Sequence, residues 1–331
     1  MMWTFGLRLV ALLIAFSAAG LARANDETYP AKPIRLIVPS GPGAGMDIPA
    51  RIVAEALGSH LGQKIYIENK PGASMRMGTI AAARSASDGY TILWAPTTPV
   101  TIAEHLAPKF EITPSRDLMP IAIVVRQPVF LVVRKSFPAQ SFEEFVRYAR
   151  TASSKVTFGI QGIGGEFHLI LEMIKKRTGA DIVTIPYNVA AQAITDLLAD
   201  SRERLDGMLL VSAAIRQSVS DGRLRILATL SPARLIDFSD VPTIAELGYP
   251  DLSFEPWFGL LAPAGLQPPV LQKWIYALDR IKNDAGVQRR LAAVGAKMEI
   301  VKTSAFSAVI DRERRDFGVT VKDLGLDNTP K

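Results

Sequence analysis

Between residues 29 and 96 short apolar runs alternate with longer stretches in which apolar residues recur every three or four positions. "IRLIVP" (34–39) precedes "DIPARIVAEALGSHLG" (47–62), where Ile48, Ile52, Val53, Ala56, Leu57 and Leu61 fall at helical spacing. "KIYIEN" (64–69), "MGTIAAARSA" (77–86) and "YTILWAP" (90–96) continue the series as strand, helix and strand. Such alternation predicts a parallel sheet covered by helices on both faces.

The rhythm breaks at "MPIAIVVRQPVFLVVRKS" (119–136), where only "RQP" separates two apolar runs, and then resumes. "SFEEFVRYAR" (141–150) reads as a helix with Ser141 as N-cap and acids in its first turn. "KVTFGI" (155–160), "EFHLILEMIKKRTG" (166–179), "IVTIPY" (182–187), "AAQAITDLLAD" (190–200), "RLDGMLLV" (204–211) and "LRILATL" (224–230) give a second α/β series. After "FEPWFGLLAP" (254–263) come helical patterns at 268–283, 285–295 and 303–324, with "MEIV" (298–301) between them. This tail has too few strands for an α/β domain of its own, so it is expected to return and complete the first. The expected division is lobe I from 25–125 and 253–331, lobe II from 126–252, with a cleft between them suited to a small ligand.

Composition narrows the setting. Arg8, the apolar run "LVALLIAFSAAG" (9–20) and "ARA" (22–24) have the anatomy of a secretory signal peptide over residues 1–24, so a periplasmic protein mature from about Asn25 is expected. The 331-residue chain has no cysteine, which excludes disulfides, thiolate metal sites and a cysteine nucleophile. Without Arg8 and Arg23, 36 basic residues face 32 acidic ones, and the charges are scattered. "RERRD" (312–316) and "IKKR" (174–177) read as solvated helix faces, and nucleic-acid binding is not expected.

Ligands of open α/β sheets lie beyond the carboxyl ends of the strands, where helix N-termini point N–H groups outward. "PSGPGAGMD" (39–47), "NKPGASMRMG" (69–78), "APTTP" (95–99), "GIQGIGGEFH" (159–168) and "PYNVAAQ" (186–192) occupy such places and describe an anion pocket shared by both lobes. A dinucleotide site is the rival, with Glu68 as the ribose carboxylate. However, Gly41, Gly43 and Gly45 are spaced G-x-G-x-G with Pro42 inside the turn, and no G-K-[ST] follows. His60, His105 and His168 form no metal-binding pair, and no G-x-S-x-G elbow is present. The residues therefore predict no enzyme, no cofactor and no metal. For His168, a hydrogen bond to the loop backbone is favoured over ligand contact.

"YPAKPIRLIVPSGPGAGMD" (29–47), "IENKPGAS" (67–74), "DGYTIL" (88–93), "GIGGEFHL" (162–169), "IPYNVAAQAITDLL" (185–198), "VPTIAELG" (241–248) and "WFGLLAPAGL" (257–266), in this order, resemble the Bug family, the TctC-like extracytoplasmic solute receptors of tripartite tricarboxylate transport systems. The resemblance spans about residues 29–325. It implies a type II periplasmic binding protein fold, two α/β lobes closing around a small carboxylate: a di- or tricarboxylate, an aromatic acid or an amino acid. A monomer that delivers this solute to membrane permease subunits is expected. The alternative is a receptor that signals to a membrane sensor without transport. Carrying the family's contacts over places Ser40, Gly41, Gly43, Ala44, Gly45 and Asp47 on one side of the ligand. Gly162, Gly164, Gly165, Glu166 and His168 lie on the other, and Thr97, Thr98, Tyr187 and Asn188 complete the set.

Departures from the family pattern bear on specificity. Ser40 and Ala44 change the first loop, and "SMRMG" (74–78) replaces a glycine-rich stretch and introduces Arg76. Asn188-Val189 replaces what is commonly a basic or polar residue followed by glycine. Glu166 stands where a small hydroxyl residue is more frequent. Facing the cleft, its carboxylate favours an added amine or hydroxyl on the ligand; facing solvent, it complements the helix N-terminus.

Overall fold

The computed structural model describes residues 29–328 except 44, 107–109, 154, 188–189 and 201–204. The expected leader at 1–24 and the candidate residues Ala44 and Asn188 lie outside the described residues. The chain enters with β1 (Ile34–Val38), α1 (Asp47–Leu61), β2 (Ile65–Asn69), α2 (Arg76–Ala83) and β3 (Thr91–Pro96). Short helices α3 (Thr97–Thr101), α4 (Ala103–Leu106) and α5 (Pro114–Asp117) lead to β4 (Leu118–Arg126). Beyond Gln127-Pro128 follow β5 (Val129–Arg134), α6 (Phe142–Thr151), β6 (Val156–Gln161), α7 (Glu166–Thr178) and β7 (Ile182–Tyr187). This part is completed by α8 (Ala190–Leu198), β8 (Gly207–Val211), α9 (Ser212–Ser220) and β9 (Leu224–Thr229). The chain then returns as β10 (Trp257–Pro263), α10 (Pro268–Ile281), α11 (Ala285–Ala293), β11 (Lys297–Lys302) and α12 (Thr303–Asp323).

These strands form two sheets, one ordered β11-β4-β10-β3-β1-β2 and the other β7-β6-β8-β5-β9. The first is mixed rather than parallel throughout. β1 runs parallel to β2 and β3, whereas β10 lies antiparallel between β3 and β4, and β11 antiparallel to β4. The reason is topological: β10 re-enters from the other sheet at the edge where β3 and β4 end, with Phe258 opposite Pro96 and Trp257 opposite Arg126. In the second sheet β8 and β9 end where β5 begins, and β6 and β7 run parallel to β8. Both sheets thus turn the carboxyl ends of their parallel strands toward the two crossings, which are tied by Gln127 N donating to Pro256 O at 3.0 Å.

Local signals explain the helices that border this edge. Ser141 caps α6, accepting from Glu144 N at 3.2 Å. Gly179, at φ 66°, ends α7 in the left-handed conformation that glycine adopts without cost. The last helix has a buried stripe of Phe306, Ile310, Glu313, Phe317 and Val321. Phe306 and Ile310 pack with Trp257 and Leu261 of the first sheet. Phe317 and Val321 join the cluster of Leu131, Phe145 and Leu169 in the second. One helix therefore completes both cores. The stripe also corrects the reading of 312–316 as a solvated face, because Glu313 keeps only 7% of its surface exposed.

Candidate functional site

The glycine loop after β1 is braced from within. Asp47, buried at the start of α1, accepts from Gly43 N at 2.8 Å, Arg51 Nε at 2.8 Å and Asn69 Nδ2 at 2.8 Å. Asn69 also donates to Ser40 O at 3.0 Å. Burial alone opposes ionisation of Asp47, but the bonds from Arg51, Asn69 and Gly43 hold its carboxyl below the usual range. A carboxylate so fully engaged shapes the loop. Around it, a side chain built on Gly41, Gly43 or Gly45 would meet only open space. Ser40, half-buried, donates weakly to Gly41 O at 3.4 Å.

At the end of β3 two adjacent threonines differ. Thr97 Oγ1 accepts from Trp257 N at 3.0 Å and so fastens β3 to the returning crossing. Thr98 is 8% exposed, and its Oγ1 is buried without a hydrogen-bond partner. Buried hydroxyls are normally paired, so this one stands out.

The loop before α7 mirrors the first in being braced by its own lobe. Gly162 N donates to Tyr187 O at 3.2 Å, and Gly164 N donates to His168 Nδ1 at 3.0 Å. Of the two roles open to His168, the bond to the loop backbone is present. Accepting at Nδ1 requires neutral imidazole with the proton on Nε2, and burial lowers its pKa accordingly. Gly162 and Gly164 have φ of 75° and 80°, which favour glycine. A side chain on Gly162 would meet nothing, but at Gly164 it would strike Leu106 of α4 at 2.7 Å, so the loop packs directly on the other half of the molecule. Gly165 is the N-cap of α7. Tyr187 donates its hydroxyl to Asp196 at 2.9 Å.

Two acids, Glu166 and Glu313, lie one on each of the packed helices α7 and α12. Glu313 accepts from Trp257 Nε1 at 2.9 Å. Burial pushes its carboxyl to about 7, against the bond from Trp257 and the charges of Arg126 and Arg312, and the charge of Glu166 pushes it further. Glu166, half-buried at the start of α7, is likewise pushed up to about 7 by burial. A cavity of about 1140 Å³ opens beside Glu313, with Arg126, Met173, Phe254, Glu255 and Phe317 also among its lining residues. None of the loop residues named above lines it. Sequence reasoning missed Glu313 and the partnered role of Thr97. The available signal was that Glu313 falls in helical register with Phe306, Ile310 and Phe317.

The remaining candidates have other partners. Glu68, the carboxylate of the dinucleotide reading, is paired with Arg35 at 3.0 Å and Lys70 at 2.9 Å. Arg76 lies over the Phe110 ring at 4.6 Å. Among the described residues no group of three or more acids or histidines is arranged to hold a metal, and no helix is long and apolar enough to cross a membrane.

Comparison with known proteins places this arrangement. The family described as tripartite tricarboxylate transporter family receptor matches residues 49–326. Protein BugT of Bordetella pertussis is 34% identical over 326 residues, which is 96% of this chain and 98% of its own. A TctC solute binding protein from Polaromonas superposes with a TM-score of 0.77 at 28% identity, over 89% of this chain and 100% of that one. The R. palustris protein Rpa4515, solved with adipate, gives a TM-score of 0.76 at 26% identity, over 90% of this chain and 98% of that one.

Proposed function

The chain belongs to the tripartite tricarboxylate transporter receptor family, and on that premise we propose that it captures a small organic carboxylate between its lobes and delivers it to a membrane permease. The observation that carries this reading is the buried, unpartnered hydroxyl of Thr98 at the carboxyl edge of β3. A carboxylate accepts only, and a hydroxyl donor freed from water in this position matches it. The open space over Gly41, Gly45 and Gly162 leaves room for the ligand to approach the backbone. Asp47, Gly43, Gly164 and His168 then serve as the braces that hold these surfaces in shape.

Export to the periplasm, with removal of residues 1–24, belongs to the same proposal. So does the ligand class: the adipate of the R. palustris relative makes linear dicarboxylates the first to test. Closure follows from differential affinity, since a ligand touching both lobes binds the closed form better.

The test is a thermal-shift screen of the mature protein against mono-, di- and tricarboxylates, aromatic acids, amino acids and NAD(H). A ligand at one hundred times its dissociation constant stabilises the native state by about 2.7 kcal/mol. A carboxylate should produce that shift, and Thr98→Val should weaken it while Thr98→Ser preserves it. A shift with NAD(H) and none with any acid would overturn the reading, as would undiminished binding by Thr98→Val.

A further inference from the structure

The cavity of about 1140 Å³ lies between α7, α12 and the returning crossing at 253–255, and none of the glycine-loop residues lines it. Its wall is partly apolar. Ile170 and Met173 of α7 contribute, as do the rings of Phe254 and Phe317, which meet edge to face at 5.7 Å.

Most of the charges around the cavity cancel in pairs. Lys176 is matched by Asp323 at 2.6 Å, Arg177 by Asp251 at 2.6 Å, Lys175 by Glu172 at 2.7 Å and Arg126 by Glu299 at 3.0 Å. The other charged lining residues are Arg312 and Asp316, both exposed on α12 and offsetting each other in net charge, and two buried acids, Glu255 and Glu313. Glu255 is 6% exposed. Its backbone oxygen accepts from Arg126 Nη1 at 3.1 Å, but among the described residues its carboxylate has neither a hydrogen-bond nor an ion-pair partner. Glu313 gives one oxygen to Trp257 Nε1 at 2.9 Å and leaves the other unpaired. The unpaired oxygens are not sealed inside the protein, so the little surface that these two acids keep is on the cavity they line. A buried carboxylate without a partner is unfavourable, and charged groups in protein interiors are normally paired.

We propose that this cavity is a second binding site, for an organic ammonium with an apolar body, whose cationic head pairs with Glu255 and Glu313 and whose body lies against Phe254 and Phe317. An ammonium supplies donors only, which matches carboxylates, which accept only. The negative faces of the two rings favour the same sign of charge. Burial holds Glu313 near 7, and a cation beside it would draw that value down. The apolar wall and the room for a small organic molecule select an organic cation over a bare one. Consistent with this, among the described residues no three acids are arranged to hold a metal ion. The site shares no residue with the carboxylate loops, so the inference does not depend on the function proposed above.

Calorimetric titration of the purified protein with phenethylamine and hexylamine tests the assignment, with phenethyl alcohol as the uncharged counterpart and ammonium chloride as a cation without a body. Both amines should bind saturably, and neither control should. E255Q should weaken the amines by about tenfold or more, the loss expected for one charge-assisted contact. Because E255Q removes an unpaired buried charge, it should raise the urea midpoint of the ligand-free protein, which loss of a structural contact would lower. M173W fills the apolar wall without changing a charge and should also reduce amine binding, whereas T98V, at the carboxylate loops, should leave it unchanged. No saturable binding of either amine would overturn the proposal, as would equal binding of phenethyl alcohol. Undiminished binding by E255Q, a lowered midpoint in that variant, or loss of amine binding in T98V would do the same.

Discussion

At the residue scale, the glycine-rich loops hold their form through side chains that the sequence pattern marks only as polar. Asp47 shows this best. Its carboxylate receives bonds from Gly43, Arg51 and Asn69 inside the fold, so Asp47→Ala should strand those donors and cost about 1–3 kcal/mol in urea denaturation. Because its pKa is depressed, the contribution of Asp47 is complete above the unfolded value of 3.8 and is lost as pH falls below it. The stability gap between the parent and Asp47→Ala should therefore narrow in acid. His168 shows the same sign in a different window. Its pKa is lowered by burial, so the stability it lends is present above the unfolded 6.5 and drains away as pH falls from there. Urea midpoints of the parent and His168→Gln should converge between pH 7.5 and 5; subtracting the two removes the opposing contribution of Glu166 and Glu313. For His168 the sequence already favoured the bond to its own loop, whereas nothing in it marked Asp47 as a brace of the loop before it. Thr97 and Thr98 are adjacent and chemically identical, and only the position of Trp257, 160 residues away, distinguishes them.

At the element scale, periodicity was a good guide because each strand and helix buries one face or both. β1, β3, β4 and β5 follow the apolar runs, and Ser141 and Gly179 bound helices as their chemistry dictates. What periodicity could not give was direction, since an apolar run reads the same whether its strand lies parallel or antiparallel, and β10 and β11 are antiparallel in a sheet expected to be parallel. Nor did it assign Glu313, because a charged residue inside "RERRD" reads as solvated until the stripe from Phe306 to Val321 is followed through it. A tight approach marks β10 as well. A Cβ on Gly259 would lie 2.6 Å from the Phe306 ring and 3.0 Å from Ala122 O. The ring could shift, but the carbonyl belongs to the neighbouring strand. Gly259→Ala should therefore destabilise the protein by about 1–3 kcal/mol, read as a lower urea midpoint at unchanged slope.

At the scale of the whole molecule, the two crossings and the last helix decide whether the lobes behave as independent bodies. The sequence made the crossings legible, because "RQP" leaves no room for a helix between two apolar runs. It did not reveal that α12 starts in one core and ends in the other. Phe317 and Val321 pack with Leu131 and Phe145, so the cluster around the second sheet is completed by residues that follow the first sheet in the chain. Ile102 of the segment after β3 joins the same cluster. The second core does not close without residues of the first sheet's chain, and unfolding should be a single cooperative event even though large two-lobed proteins often depart from that behaviour. The tryptophans allow a direct check. Among the described residues Trp94, Trp257 and Trp274 all pack with the first sheet, so their fluorescence reports that half, whereas far-UV circular dichroism reports both. The two urea transitions should coincide, and Phe317→Ala, which empties a shared position at a cost of about 3–5 kcal/mol, should move both midpoints together. If only the dichroism moved while the tryptophan transition stayed in place, the lobes would be separable units joined by a hinge. The last helix would then be an attachment to the second core.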